Sequence, residues 1–148
     1  MKIYLASDHA GFQQKEVIKK YLGELSYEVE DMGAHNETPE DDYPEIMARA
    51  ARKVSENPND NRAIIFGGSG QGEAMVANRF QGVRATVFYG GPLNIITLSR
   101  EHNDANILSF GARFVGENEA KEATKLWLET KFTGDERHMR RIKQIENI

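Results

Sequence analysis

A glycine-rich segment that ends in an acid is the feature of this sequence most able to do chemistry. The run Gly67-Gly68-Ser69-Gly70-Gln71-Gly72-Glu73 follows an apolar stretch and precedes residues that favour a helix. Glycines let backbone N–H groups approach a ligand closely, and a helix N-terminus adds positive potential. Glu73 stands where a phosphate-binding P-loop needs lysine, and the spacing also departs from the dinucleotide fingerprint. The segment therefore predicts neither of these nucleotide-binding loops.

The position of Glu73 suits proton removal next to a carbonyl group. The carboxylate would take the proton, and the loop amides would stabilise the developing enolate oxygen. A phosphate about 4 Å from this carboxylate would be repelled by about 4 kcal/mol at an effective dielectric constant of about 20, so a phosphate should bind elsewhere. By spacing alone, an acid that only stabilises the helix N-terminus is an equally good interpretation of Glu73.

A basic cluster near the C-terminus has the chemistry of a phosphate site. Arg137 and Arg141 are one helical turn apart, with His138 at the edge of the same face. Guanidinium groups bind phosphate oxygens in a bidentate manner, and Arg113 supplies a further cation after a predicted strand. In the alternative interpretation the two helical arginines pair on a solvated surface with the neighbouring acids Asp135, Glu136 and Glu146.

Two further segments carry candidate site residues. Asp8 and His9 end the first predicted strand, where a buried carboxylate–histidine pair could orient a ligand. Alternatively, Asp8 caps the helix that follows. His102 lies within Arg100–Asp104, which we interpret as a polar break between a helix and the fifth strand. A surface histidine is the alternative there.

Strand-like and helical segments alternate along the chain. Apolar β-formers recur at intervals of roughly 25 to 30 residues, which is typical of βαβ units in a parallel sheet. The predicted strands are Ile3–Ala6, Tyr27–Asp31, Ala63–Phe66, Val83–Phe88 and Ala105–Phe110. Helical spacing follows the first strand, Pro44 begins a second helix, and the glycine loop leads into a third. The last two predicted helices are Ala120–Thr130 and Asp135–Asn147.

This alternation predicts a fold of the α/β class over residues 1–148. We expect one domain built on a Rossmann-like, doubly wound, five-stranded parallel sheet, in three αβα layers. Ligands of such sheets bind beyond the carboxyl ends of the strands, where three of the candidate segments begin. The last helix carries an apolar stripe of Met139, Ile142 and Ile145, for which we predict contact with a partner subunit. Folding back onto its own domain is the alternative.

Composition excludes several classes of function. The chain of 148 residues has a net charge of −4, so nucleic acid is not an expected partner. It has no cysteine, which excludes disulfides, thiolate metal sites and cysteine nucleophiles. No apolar run reaches the ~18 residues of a membrane helix. The N-terminus has no basic-then-apolar export signal, and we expect a cytoplasmic protein.

Five motifs occur in an order that resembles a known family. They are Ser7-Asp8-His9-Ala10-Gly11, Asp42-Tyr43-Pro44, the glycine loop with Ala77-Asn78-Arg79, the segment Ser99–Asn106, and Arg137-His138-x-x-Arg141. Together they resemble the type B ribose-5-phosphate isomerases, whose family also includes subunits of galactose-6-phosphate isomerase. The resemblance covers essentially the whole chain.

The resemblance implies an aldose–ketose isomerase that needs no metal or other cofactor and works through an enediolate. Many members carry a cysteine base at the start of the glycine loop, where this chain has Gly67. It instead resembles the subgroup whose base is a glutamate after the loop, here Glu73. His102 would assist ring opening and Asn103 would hold sugar hydroxyls. The resemblance also implies a pocket lined by Asp8, His9, Gly68, Ser69, Gly70 and Gly72, and a phosphate site of Arg113, Arg137, His138 and Arg141.

The expected reaction is the interconversion of ribose 5-phosphate and ribulose 5-phosphate by a homodimer, or a tetramer, with its site at the subunit interface. The same chemistry on allose or galactose 6-phosphate is one alternative, because one added carbon changes binding by only ~1–3 kcal/mol. A non-catalytic module that binds sugar phosphates or nucleotides is another, since fold does not dictate function. A metal-dependent hydride shift around Asp8, His9, Glu73 and His102 is a weaker rival.

Overall fold

A computed structural model describes residues 1–148 as five strands and six helices. The strands are β1 (Ile3–Ser7), β2 (Val29–Asp31), β3 (Arg62–Gly67), β4 (Ala85–Phe88) and β5 (Ile107–Gly111). The helices are α1 (Phe12–Glu24), α2 (Tyr43–Glu56), α3 (Gln71–Ala77), α4 (Asn94–Asn103), α5 (Glu117–Glu129) and α6 (Glu136–Ile145). None of the helices has the length and apolar character that crossing a membrane requires.

All five strands form one parallel sheet in the order β2-β1-β3-β5-β4, which confirms the predicted doubly wound fold. After β1 the chain winds to one side of the sheet, and from β3 onward it winds to the other. The connections that leave the carboxyl ends of β1 and β3 therefore run in opposite directions, and the crevice between these two ends is a topological switch point. In open α/β sheets this crevice is where ligands bind.

Side chains alternate along the strands and fill two cores, one on each face of the sheet. Leu5, Phe66 and Phe110 point to the face covered by α1, α4 and α5, where Trp127 is fully buried. Ala6 and Ile65 point to the opposite face, which is covered by α2 and α3. This arrangement confirms the three predicted layers. Strands buried on both faces explain why the sequence shows short continuous apolar runs.

The observed elements differ from the predicted ones mainly at their ends. Strands β2, β4 and β5 begin two residues later than predicted, because the residues before them bond to turns and side chains. The N–H of Tyr27 donates to Leu22 in a turn, and the N–H of Arg84 donates to the side chain of Asn106. The interpretation of Arg100–Asp104 as a break was wrong, since α4 continues to Asn103 and carries His102 in its last turn.

Helix α6 lies at the edge of the sheet where the strands begin. The rings of His138 on α6 and His102 on α4 stack, with centroids 4.3 Å apart. Near the other end of α6, the Glu146 carboxylate accepts hydrogen bonds from the N–H of Gly82 and from the Arg84 guanidinium, both just before β4. Met139 and Ile145 of the predicted stripe remain exposed in this chain, while Ile142 is half-buried.

Candidate active site

A cavity of about 440 Å³ lies at the switch point, beyond the carboxyl ends of β1, β3 and β5. Eight predicted site residues lie here, and we call them the carboxyl-edge cluster. Seven of the eight line the cavity together with Ala10, Tyr43 and Phe114; the seven are Asp8, His9, Gly68, Ser69, Gly72, Glu73 and Arg113. The eighth member, Gly70, belongs to the same loop and packs against the backbone of Phe110 and Gly111, outside the cavity lining. The cluster comprises Asp8, His9, Gly68, Ser69, Gly70, Gly72, Glu73 and Arg113.

The glycine loop is held in place by its neighbours on β5. Gly70 adopts a left-handed conformation with φ of 76°, and a Cβ there would lie 2.8 Å from the backbone of Phe110. The Ser109 hydroxyl donates to the carbonyl of Gly70, and the N–H of Ala112 donates to the carbonyl of Gly67. These contacts engage loop carbonyl groups. The loop N–H groups without an acceptor in the chain are those of Gly68, Ser69, Gly70 and Gly72.

Glu73 lies in the first turn of α3 with only 4% of its surface exposed. Its carboxylate occupies the space that a side chain at position 67 would need, since a Cβ on Gly67 would overlap it. Gly67 thus makes room for the carboxylate beside the loop. Burial raises the pKa of Glu73, and the nearby negative charge of Asp8 raises it further. A base with a raised pKa holds an abstracted proton more readily than an ordinary glutamate.

This environment predicts the pH dependence of catalysis. A glutamate serves as a general base only when deprotonated, so a catalytic role for Glu73 predicts an acid limb of kcat/KM above pH 4.5, the ordinary value for glutamate. The profile is measured with the free enzyme at low substrate concentration, from about pH 4 to about pH 9. An acid limb centred at or below the ordinary value would contradict the assignment of Glu73 as the base.

The pair expected between Asp8 and His9 is not present. The Asp8 carboxylate instead accepts a hydrogen bond of 3.0 Å from the N–H of Gly11, in the manner of a helix cap. His9 pairs with Asp41, a residue that sequence reasoning missed. The acidic run Glu40-Asp41-Asp42 contains no signal for which carboxylate turns inward. Tyr43 was also missed as a cavity residue, and its phenol packs against Gly72.

The other five predicted site residues lie at the opposite edge of the sheet. We call them the amino-edge cluster: His102, Asn103, Arg137, His138 and Arg141. Asn103 ends α4 four residues before the start of β5, and the stacked His138 brings α6 to the same edge. Burial lowers the pKa of His138, and the positive charge of a protonated His102 lowers it further. The neutral form of His138 is therefore favoured.

One chain does not bring the two clusters together. Strand β5 separates them, since Arg113 follows its end and Asn103 precedes its beginning. Five residues of a strand span about 15 Å, which exceeds the length of a five-carbon sugar phosphate. No group of three or more histidine, aspartate or glutamate side chains within the chain is arranged to hold a metal ion.

The arginines of the amino-edge cluster are not engaged by the acids that the alternative interpretation offered. Arg137 and Arg141 are exposed and form no ion pair within the chain. Glu146 pairs instead with Arg84 at 2.8 Å, and Asp135 lies 3.9 Å from His138. Arg113 is likewise exposed and unpaired, above the backbone of Gly68. All three guanidinium groups are therefore available to an external anion.

Comparison with known proteins gives a consistent result. The ribose/galactose isomerase family model matches residues 3–145. A putative sugar phosphate isomerase of Bacillus subtilis is 38% identical over 147 residues, 99% of this chain and 96% of the relative. Ribose-5-phosphate isomerase B of Mycolicibacterium paratuberculosis is 35% identical over 142 residues, 96% of this chain and 87% of the relative.

Solved structures extend the similarity to the whole fold. The crystal structure of ribose-5-phosphate isomerase B from Mycoplasma genitalium with bound ribulose-5-phosphate has a TM-score of 0.94 and 34% sequence identity. The match covers 99% of this chain and 94% of that one. Since the family model and relatives of nearly full length match this chain, and the solved relative shares its fold, the chain belongs to the ribose/galactose isomerase family.

Proposed function

We propose that this chain interconverts D-ribose 5-phosphate and D-ribulose 5-phosphate. The observation that carries the proposal is the buried Glu73 carboxylate, placed against a loop whose N–H groups have no acceptor in the chain. That arrangement suits an enediolate reaction. The substrate class is supported by the relatives named as ribose-5-phosphate isomerase B and by the relative solved with ribulose-5-phosphate.

The reaction begins with opening of the sugar ring. In this step the anomeric hydroxyl loses its proton, the bond from C1 to the ring oxygen breaks, and the ring oxygen gains a proton. His102 is the proposed acid–base group for these transfers, and Asn103 is the proposed partner of the sugar hydroxyls. The product is the open-chain aldehyde that the isomerisation requires.

Isomerisation then moves one proton between neighbouring carbons. Glu73 removes the proton from C2, a double bond forms between C1 and C2, and the aldehyde oxygen becomes an enediolate oxygen. The N–H groups of Gly68, Ser69, Gly70 and Gly72 and the Ser69 hydroxyl would stabilise that charge. Glu73 returns its proton to C1, while the proton on the C2 oxygen moves to the C1 oxygen. The product is the ketose.

We propose that each complete site uses two subunits. The carboxyl-edge cluster of one chain supplies the base and the loop, and the amino-edge cluster of a second chain supplies His102, Asn103, Arg137 and Arg141. The separation of the clusters across β5 supports this division. With Arg113, the partner's two unpaired arginines would hold the phosphate at the end of the sugar remote from Glu73, which avoids charge repulsion.

Exposed apolar residues occur at both edges and suit a two-fold symmetric contact. At the carboxyl edge, large exposed side chains follow β3, β4 and β5, including Phe114 at 64% exposure beside the cavity. On α6 and at the C-terminus, Met139, Ile145 and Ile148 are exposed. In a two-fold symmetric dimer, the carboxyl-edge surface of each chain contacts the α6 surface of its partner, so the same contact is made twice. This supports a homodimer in which α6 reaches the partner.

The test of the proposed function is the isomerisation of ribose 5-phosphate and allose 6-phosphate by the purified protein, side by side with EDTA present. We expect a kcat/KM for ribose 5-phosphate at least about tenfold above that for the hexose, the scale of discrimination against one added carbon. A preference for allose 6-phosphate would move the substrate assignment while keeping the roles of the residues. Absence of turnover with either sugar would favour the binding module, and activity lost only with EDTA would favour the metal-dependent rival.

A further inference from the structure

Asp41 is the acid that contacts His9, and the reaction proposed above gives it no role. Its Oδ1 accepts a hydrogen bond of 3.1 Å from the backbone N–H of His9 and lies 2.7 Å from the ring nitrogen Nδ1. The Asp41 side chain is 12% exposed, whereas both neighbouring acids, Glu40 and Asp42, lie at the surface. One carboxylate of the acidic run is therefore turned inward onto a cavity residue.

The chain that follows β2 brings Asp41 close to His9. This chain runs along the end of β1, where the N–H of Ser7 donates to Gly33 and the N–H of Ala34 donates to Ser7. The fully buried Lys15 ammonium donates to the carbonyl of Ala34 at 2.7 Å. The segment then returns over His9 and enters α2 directly after Asp41 and Asp42. Both ends of the loop that carries Asp41 are anchored to elements of the fold.

The contact determines how His9 faces the cavity. A carboxylate oxygen only accepts hydrogen bonds, so the Nδ1 atom of His9 must carry the proton that it shares with Asp41. The partner of one ring nitrogen sets the tautomer and the orientation of the other. With Nδ1 facing Asp41, the opposite nitrogen Nε2 is the one available to the cavity that His9 lines. A histidine without this contact would rotate and exchange tautomers.

We propose that Asp41 is a positioning residue for the isomerase: it holds the His9 imidazole with Nδ1–H toward its own Oδ1 and Nε2 toward the bound sugar phosphate. The proposal rests on the proposed function for the identity of the ligand. Asp41 itself does not touch the substrate, since its second oxygen, Oδ2, is buried and has no hydrogen-bond partner. Its effect on catalysis must therefore pass through His9.

Steady-state kinetics with three variants test this role. The hydrogen bond that a positioned His9 makes to the charged sugar phosphate should contribute ~1.5 kcal/mol or more. Because Asp41→Ala removes the positioning, it should raise KM for ribose 5-phosphate about tenfold while kcat stays within about threefold. Asp41→Asn keeps an oxygen that accepts from both N–H groups, and its KM should stay within about threefold of the unsubstituted value. Glu40→Gln, the adjacent exposed carboxylate, is the matched control and should change neither constant.

A double-mutant cycle separates action through His9 from a general loosening of the loop. If Asp41 acts through His9, adding Asp41→Ala to His9→Gln should raise KM no further than His9→Gln alone. Additive effects of the two substitutions would overturn the proposal. So would an unchanged KM in Asp41→Ala, or a fall in kcat accompanied by a lower Tm in both Asp41 variants.

Histidine ¹⁵N NMR gives a readout that does not depend on activity. The His9 ring signals, assigned by their loss in His9→Gln, should show a protonated Nδ1 in the unsubstituted chain and in Asp41→Asn, and a loss of that preference in Asp41→Ala. An identical tautomer in all three proteins would overturn the proposal. A chain with this NMR pattern but no isomerase activity would support the Asp41 contact and refute the proposed function.

Discussion

Glu73→Gln should reduce kcat for ribose 5-phosphate isomerisation by about 10²–10⁴-fold while KM changes little, because a positioned general base contributes on that scale. The substitution keeps the volume of a side chain that is buried against Gly67, so the loop and the cavity retain their shape. Only the capacity to take the proton is removed. Calorimetric binding of ribose 5-phosphate should therefore survive in the variant while turnover collapses.

The control for this experiment is Glu45→Gln, which changes an exposed acid in the first turn of α2. If Glu73 mattered only as an acid at a helix N-terminus, both variants would have similarly small effects of ~0.3–1 kcal/mol on stability. Full activity of Glu73→Gln would refute its role as the base.

Stability provides a second check on Glu73→Gln with a defined sign. The raised pKa of Glu73 means that the folded chain holds this proton to a higher pH than the unfolded chain. Stability from this group is therefore lost as pH rises through the interval between the two pKa values. We expect Glu73→Gln to be more stable than the unsubstituted chain at neutral pH, with the difference vanishing below pH 4.5, the ordinary value. Urea unfolding at neutral pH and at a pH below 4.5 measures this difference in the free energy of unfolding.

Mixing two inactive variants should restore activity if each site uses two chains. Glu73→Gln leaves the amino-edge cluster intact, and the double variant Arg137→Ala/Arg141→Ala leaves the carboxyl-edge cluster intact. In a mixed dimer, one of the two sites receives both intact clusters and the other receives neither. Random mixing makes half of the dimers mixed, so about a quarter of the unsubstituted activity should return. The measurement is kcat/KM after the two chains are unfolded and refolded together.

The matched control for this mixing experiment uses two variants of the same cluster. Glu73→Gln and Arg113→Ala both alter the carboxyl-edge cluster, so a mixed dimer of these chains has no intact site and should remain inactive. Recovery in the first mixture and not in the second would establish the division between subunits. Lack of recovery in both, from mixtures shown to contain mixed dimers, would contradict a shared site.

Much of the fold could be predicted because its signals are local. The apolar runs, each buried in one sheet, indicated all five strands and their parallel class. Their ends were less accurate, because the pairing of Arg84 with Asn106 joins residues 22 positions apart and leaves no local pattern. The same limit applies to His102. Its polar neighbours are typical of a loop, but the Arg100 guanidinium pairs with the Asp104 carboxylate at 2.7 Å and the helix continues through this segment to Asn103.

The sequence by itself determined the chemistry available to this protein: a glutamate directly after a glycine loop, two arginines one helical turn apart, and no cysteine to serve as the base. Those features depend on residue type and short spacing. Only the tertiary structure decided which of these groups meet. The strand order and the direction of α4 place His102 and Arg113 at opposite edges of the sheet, and a loop from beyond β2 brings Asp41 onto His9. Such contacts arise from the packing of segments distant in the chain, which spacing along the sequence does not encode.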